Sequence, residues 1–376
     1  MLGVMLMRNF GFGGMRLPLL DENDPKSIDQ NEVNRMVDLF ISKGFTYFDN
    51  AYIYHSGESE SAYKKAIVDR YPRNSFLIAD KMPTMAVKCP EDYEKFFARQ
   101  LERLGIDYFD YYLLHNIGHK TYEESEKWGG FDFLVKKKAE GKIKKIGFSF
   151  HDTPELLDEV LSKHPEIDFV QIQLNYIDWN NAAIRSRECL DTARKHGKPV
   201  SVMEPVKGGG LASLPEKAEK ILKKADPQMS IPSWGIRFAA SCDGVFMVLS
   251  GMKSVEQVRD NTSFMENFKP LTADEKNMLT GTVTGIINES VYIPCTACRY
   301  CTDGCPKNIN IPSYFAIYNN YKLYGMRNFP MMHYRKQSFG HGLASDCIEC
   351  KQCEIHCPQH IEITKYLKEI AADFEK

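Results

Sequence analysis

"PEDYEKFFARQLERLGIDYFDYYLLH", residues 90–115, changes its hydrophobic period partway along. Tyr93, Phe96, Phe97, Leu101 and Leu104 form one apolar stripe at helical spacing, and Gly105 stands where a helix C-cap is expected. "DYFDYYLLH" (107–115) then reads as a short β-rich run that ends on a histidine. The same alternation of amphipathic helix and apolar strand extends in both directions. Further strand candidates are "RNFGFGG" (8–14), "FTYFDNA" (45–51), "SFLIADK" (75–81), "IKKIGFSF" (143–150), "FVQIQLNY" (169–176), "PVSVMEP" (199–205) and "GVFMVLSG" (244–251). Helical stretches such as "DQNEVNRMVDLFISKG" (29–44) separate them. Eight strand–helix units in roughly 260 residues have the count and size of an α/β fold of the (β/α)₈ TIM-barrel type. The competitor is a doubly wound sheet. "GFGGMRLP" (11–18) has glycines, but it lacks the spacing, the following helix and the downstream acid of a dinucleotide fingerprint.

The pattern breaks after Pro270. "TADEKNMLTGTVTGIIN" (272–288) reads as one more helix, with Thr272 and Glu275 spaced as a capping box. We therefore expect a barrel over 1–288 and a mainly helical second domain over 289–376. That second domain holds "CTACRYCTDGCP" from Cys295 and "CIECKQCEIHCP" from Cys347. Both follow C-x₂-C-x₂-C-x₃-C-P, the bacterial two-cluster ferredoxin run, in which the fourth cysteine ligates the other cluster. The expected ligands are Cys295, Cys298, Cys301 and Cys357 for one 4Fe–4S cluster. Those for the second are Cys347, Cys350, Cys353 and Cys305. Structural zinc is the bland alternative, because C-x₂-C pairs also make zinc sites. Cys89, Cys189 and Cys242 are isolated and read as plain thiols.

The bulk composition fits a globular enzyme. The chain has 376 residues, 43% hydrophobic and 26% charged, with a formal net charge of −2. That balance gives no electrostatic reason to expect nucleic acid or an anionic membrane as partner. No apolar run approaches a membrane span, and the N-terminal stretch lacks the charged n-region of a signal peptide. Eight of the 11 cysteines fall in the two runs, which points to metal ligation in a reducing compartment, the cytoplasm.

In such barrels function gathers at the C-terminal ends of the strands. Those ends supply Asp49, then Tyr54 in the following loop, Lys81 and His115. Each alone has an ordinary structural reading. Together they suit carbonyl chemistry. A phenol with pKa about 10 is a weak acid at neutral pH. The Lys81 ammonium is expected to lower that value, and Asp49 to keep the lysine charged. His115 is placed to hydrogen-bond a carbonyl oxygen, and Tyr54 to give that oxygen a proton as it accepts hydride.

"FDNAYIYHSGESE" (48–60), the lysine ending "FLIADK" and the histidine ending "YYLLH" resemble the signature of the aldo/keto reductase family across roughly residues 8–265. The resemblance implies an NAD(P)H-dependent oxidoreductase interconverting an aldehyde or ketone and the alcohol. Tyr54 would be its general acid, aided by Lys81 and His115, with Asp49 supporting the lysine. It further implies an extended nucleotide across the barrel mouth. Ser149 and Gln171 match residues that hold the nicotinamide carboxamide, but Phe150 replaces the usual Asn and His151 follows it. Met203 stands where many members stack an aromatic ring. "VKGGGL" (206–211), with Gly208 and Gly209, resembles the pyrophosphate loop. "SGMKSVEQVRDN" (250–261) resembles the adenosine segment, with Lys253, Ser254, Gln257 and Asn261. Gln257 occupies the position of a frequent 2′-phosphate arginine, for which Lys253 or Arg259 is the candidate substitute, so either NADP(H) or NAD(H) is expected. The cysteine tail is similar to the ferredoxin-like domain of one subgroup.

Expected partners are a small carbonyl or alcohol substrate and a redox partner protein. Hydride carries two electrons at once whereas each cluster passes one, and no flavin fingerprint is present to convert between them. The clusters then serve electron relay or structure. A competing reading is an electron-transfer protein whose barrel binds nucleotide or a partner without carbonyl turnover. A metal-dependent hydrolase is disfavoured, since no His-x-His pair follows an early strand.

Overall fold

All eight expected strands form in the computed structural model, which describes residues 9–180, 184–290, 292–324, 331, 334, 335, 337, 338 and 340–376. They are β1 (Phe10–Gly13), β2 (Tyr47–Asp49), β3 (Leu77–Met82), β4 (Phe109–Ile117), β5 (Ile143–Phe150), β6 (Phe169–Gln173), β7 (Val200–Met203) and β8 (Val245–Gly251). Arg8, expected to begin the first strand, lies outside the described residues. Each strand pairs in parallel with the next, and β8 returns to β1 to close the barrel.

Side-chain alternation decides what faces inward. Tyr47, Ala79, Met247 and Leu249 form one buried cluster. Asp49 and Lys81 continue the parity of Tyr47 and Ala79 two residues further, which carries them to the strand ends. Close packing demands small residues at some positions. A Cβ on Gly147 would lie 2.7 Å from the Phe169 carbonyl oxygen, so only glycine fits there. Outside the strands, the helix Gln30–Ser42 packs Phe40 5.5 Å from Phe12 and 5.2 Å from Phe45, ring to ring. The helix Pro90–Leu104 buries Tyr93, Phe97 and Leu104 and ends at Gly105 with φ +68°. That is the left-handed cap a glycine supplies without a Cβ penalty.

The chain divides into two units. The first holds the barrel, running through Asn180 and resuming at Arg185–Pro205 and Ser233–Thr272. The second takes in Val206–Pro232 and Ala273–Lys376. It is wider than the 289–376 expected, because both the stretch after β7 and the helical stretch from Ala273 group with the cysteine-bearing tail. Its chain is helical from Ala273 to Ser290, with a π-turn at Leu279–Val283, and again over Ile311–Tyr324 and Ile363–Phe374. The last two helices share a core of Tyr314, Phe315, Tyr318, Leu367, Ile370 and Phe374. Among the described residues no helix is long and apolar enough to cross a membrane.

Candidate active site and cysteine sites

Asp49 ends β2, Lys81 is the penultimate residue of β3, and His115 lies near the end of β4. Tyr54 opens the short turn Tyr54–Gly57, where His55 and Ser56 both have positive φ (51° and 55°). Two contacts hold that turn. Leu17 N donates to His55 Nε2 at 3.1 Å, which leaves Nδ1 as the donor to the Pro25 carbonyl at 3.0 Å. The Lys81 ammonium donates to Asp49 Oδ2 and to the Asn50 carbonyl, both at 2.6 Å, and lies 3.5 Å from the Tyr54 hydroxyl. Tyr54 and His115 stand edge to face, with ring centroids 6.0 Å apart. The structure thus brings all four expected residues together.

The electrostatics correct one expectation. Tyr54 is held well above the usual phenol range, not lowered toward neutrality. Burial is the main cause, and the charges of Asp49 and Glu204 add to it, with Arg16 opposing. Lys81 fails to lower it because Asp49 already neutralises the lysine at close range. Burial first, then Lys81 and His151, push His115 well below the ordinary imidazole range, so it is neutral at pH 7. Asp49 itself is raised by burial against the pull of Lys81.

Behind Lys81 lies a cluster that sequence reasoning missed. Asp80 Oδ1 accepts from Lys81 N at 2.8 Å, and Glu60 Oε2 accepts from Arg103 at 2.7 Å. Their remaining oxygens, Asp80 Oδ2 and Glu60 Oε1, are buried without a hydrogen-bond partner among the described residues. Burial and the Glu60 charge push the Asp80 carboxyl far above its usual range. A proton kept on Asp80 gives both oxygens a role, because two carboxylates cannot both ionise at close range. The available signal was an acid inside the apolar run "LIADKM", whose last five residues are all buried.

The residues expected at the nucleotide are distributed as follows. Ser149 and Gln171 are register partners on β5 and β6, both buried. Ser149 Oγ accepts from Asn116 N at 2.8 Å, and Gln171 Oε1 has no partner among the described residues. Burial pushes the His151 imidazole down to about 4. Met203 ends β7 half-buried. Ser254 caps the helix Val255–Met265 by accepting from Gln257 N at 3.3 Å, and the Gln257 side chain accepts from Lys253 N at 2.8 Å. Lys253 Nζ lies 3.4 Å from Glu22. Asn261 is buried and donates to Ser250 Oγ at 3.2 Å. Gly208 and Gly209, with φ +64° and +102°, belong to the second unit.

In that unit the two cysteine runs interleave. Cys295, Cys298, Cys301 and Cys357 line one cavity, and Cys305, Cys347, Cys350 and Cys353 line another. Ile311 forms a wall of both. The backbone winds alike in the two runs. Ala297 and Glu349, Arg299 and Lys351, and Asn308 and His360 are matched pairs with positive φ. Such left-handed residues turn successive N–H groups toward a concavity, and Ala297 N already donates to Cys295 Sγ at 3.4 Å. The thiols act on one another, mostly within each set. Cys301 is raised by burial first, then by Cys298, Cys295 and Cys357, with Cys353 next. Cys353 is pushed up to about 12 by burial, Glu354, Cys347, Cys305 and Cys350. Four clustered sulfurs in apolar surroundings disfavour thiolate without a compensating cation, so the donor set fits a cationic iron–sulfur core. Among the described residues no three His, Cys, Asp or Glu side chains gather closely enough to hold a single metal ion. Of the isolated cysteines, Cys189 and Cys242 are buried and Cys89 is half-buried.

The sequence model of the aldo/keto reductase family matches residues 9–283, and that of the 4Fe-4S dicluster domain matches residues 294–362. An aldo-keto reductase of Strobilurus tenacellus is 27% identical over 242 residues, covering 62% of this chain and 68% of that protein. One from Mycolicibacterium vanbaalenii is 28% identical over 253 residues, covering 66% and 83%. The solved structure of an aldo-keto reductase from Bacillus halodurans, in its holo form, has the same fold. Its TM-score is 0.59 at 24% identity, over 72% of this chain and 90% of that one. The matched barrel, with its four polar residues at one mouth, and the matched cysteine region make this chain a member of the aldo/keto reductase family, an oxidoreductase with a 4Fe-4S dicluster domain.

Proposed function

We propose that the chain reduces a small aldehyde or ketone, or oxidises the alcohol, with Tyr54 as the proton donor. The observation that carries this reading is the Lys81 ammonium set between Asp49, the Asn50 carbonyl and the Tyr54 hydroxyl. A bound nicotinamide nucleotide would supply or accept the hydride. Tyr54, kept as a phenol by its surroundings, gives its proton to the carbonyl oxygen. Neutral His115 offers an N–H to the same oxygen and holds it in place. Lys81 fixes the orientation of Tyr54, and Asp49 holds the Lys81 ammonium in place.

The partnerless Gln171 Oε1 beside Ser149 supports carboxamide recognition, since a buried acceptor of this kind calls for an N–H donor. The nucleotide is NADP(H) or NAD(H), and exposed Lys253 is a cation suited to a 2′-phosphate. We assign Ser254, Gln257 and Asn261 to the adenosine end, Met203 and His151 to the nicotinamide surroundings, and Gly208 and Gly209 to the pyrophosphate. Two 4Fe–4S clusters would be held by the two four-cysteine sets, the first by Cys295, Cys298, Cys301 and Cys357, the second by Cys305, Cys347, Cys350 and Cys353. Thiolate-held clusters of this class carry one electron at a time, which suits exchange with a redox partner protein in the cytoplasm.

Kinetics of Tyr54→Phe test the central assignment. The variant should lose at least about 10²-fold in carbonyl reduction, the usual contribution of a positioned general acid. Full turnover on every activated aldehyde tried would refute Tyr54 as the donor.

A further inference from the structure

Lys207 is a buried cation, 8% exposed, on a left-handed backbone with φ +47°. Conformations of that kind cost of order 1 kcal/mol or more for a non-glycine residue and are held only by firm surroundings. Its ammonium donates to Gln359 Oε1 at 2.7 Å. Gln359 follows Cys357 by two positions and lines the cavity of Cys295, Cys298, Cys301 and Cys357. It is 7% exposed, and its Nε2 is buried without a hydrogen-bond acceptor among the described residues.

These facts fix the amide's orientation. An ammonium has donors only, so it can face Oε1 and not Nε2. The Lys207 contact therefore turns the two N–H donors of Gln359 away from itself. A buried donor costs about 1–3 kcal/mol if left unmade. The acceptors that would occupy the cavity it lines are sulfurs, those of the cysteines and of a bound cluster.

We propose that Lys207 and Gln359 form a potential-setting pair for the cluster held by Cys295, Cys298, Cys301 and Cys357, with Lys207 orienting Gln359 and Gln359 donating to a cluster sulfur. The proposal rests on the assignment of that cysteine set to a 4Fe–4S cluster. Donors to sulfur and nearby positive charge stabilise the more negative, reduced cluster, and so raise its potential. Lys207 acts as a positioning residue, and its charge works in the same direction.

The test is a redox titration of the full-length, anaerobically purified protein after iron and acid-labile sulfide have been assayed. Protein-film voltammetry would compare the unmodified chain with Gln359→Leu, Lys207→Met and the double variant. A Cys298→Ser variant would identify which wave belongs to the first cysteine set. Gln359→Leu and Lys207→Met should each move that wave to lower potential and leave the other in place. The double variant should move it by less than the sum, because one residue acts partly through the other. A Lys207→Met protein that fails to retain iron would be replaced by Lys207→Gln, read in the same way. An unmoved first-set wave, or equal movement of both waves, would overturn the pair's role. Absence of iron and sulfide from the unmodified protein would instead refute the cluster assignment, and the proposal with it.

Discussion

Removing Lys81 should damage the barrel and its chemistry by two separable routes. The Lys81 and Asp49 side chains are 1% and 5% exposed and 2.6 Å apart. Asp49 Oδ1 already has no hydrogen-bond partner among the described residues, so this carboxylate depends on the lysine for compensation. Breaking a buried pair by deleting one partner typically costs about 3–5 kcal/mol, whereas replacing both with apolar residues is often neutral. Lys81→Met should therefore lose about 3–5 kcal/mol, and Lys81→Met with Asp49→Leu should recover most of it. The coupling energy of that cycle should be at least about 2 kcal/mol. Urea denaturation read by tryptophan fluorescence suits the measurement, because Trp128, Trp179 and Trp234 all lie in the barrel unit. Carbonyl reduction should behave differently. The double variant should regain stability without regaining turnover, since nothing then orients the Tyr54 hydroxyl. A Lys81→Met cost below about 1 kcal/mol, or a double variant as unstable as the single, would refute the buried-pair reasoning. A stable double variant with full activity would refute the catalytic part.

Two more outcomes follow from the titrating groups and the cysteines. His151 is depressed to about 4 in the folded chain and is about 6.5 when unfolded. Above pH 6.5 neither state binds the proton. As pH falls from 6.5 toward 4 only the unfolded chain does, so stability declines by up to roughly 3 kcal/mol from this group. His115 adds to the decline in the same sense. Denaturation at pH 7 and pH 5 should show it, and His151→Gln should reduce the slope; an unchanged slope would contradict the assignment. The crossed cysteine sets predict that Cys357→Ser and Cys298→Ser abolish the same cluster signal, and Cys305→Ser and Cys350→Ser the other. Paramagnetic resonance of the reduced proteins would show it, and a Cys357→Ser loss shared with Cys350→Ser would reverse the assignment.

What was readable in the sequence was whatever is encoded locally. Strand existence follows from short apolar runs bounded by turn residues, and Gly105 marks its helix end because only the left-handed cap explains it there. Asp49, Tyr54, Lys81 and His115 were legible because each sits at a strand end or just past one, and barrel topology sends strand ends to a single mouth. The cysteine spacing was legible for the same reason: ligands a few residues apart are fixed by chain geometry before any tertiary contact forms.

The features that escaped are set by groups distant in sequence. Ammonium beside phenol suggests a lowered phenol pKa, and that inference holds only if the ammonium acts alone. Lys81 does not, because Asp49 lies 2.6 Å from it while burial and the Glu204 charge push the phenol the other way. The sign of the effect thus depends on burial first and then on carboxylates contributed by β2 and the segment after β7, a sum no local window contains. Glu60 and Asp80 are separated by a turn and a helix, and Lys207 and Gln359 by 152 positions. In each case the sequence showed a charged or amide residue where a parallel strand or a tight loop should bury it. A buried polar group requires a partner. Such residues therefore mark where long-range chemistry must exist, even where the sequence leaves the partner's identity to the fold.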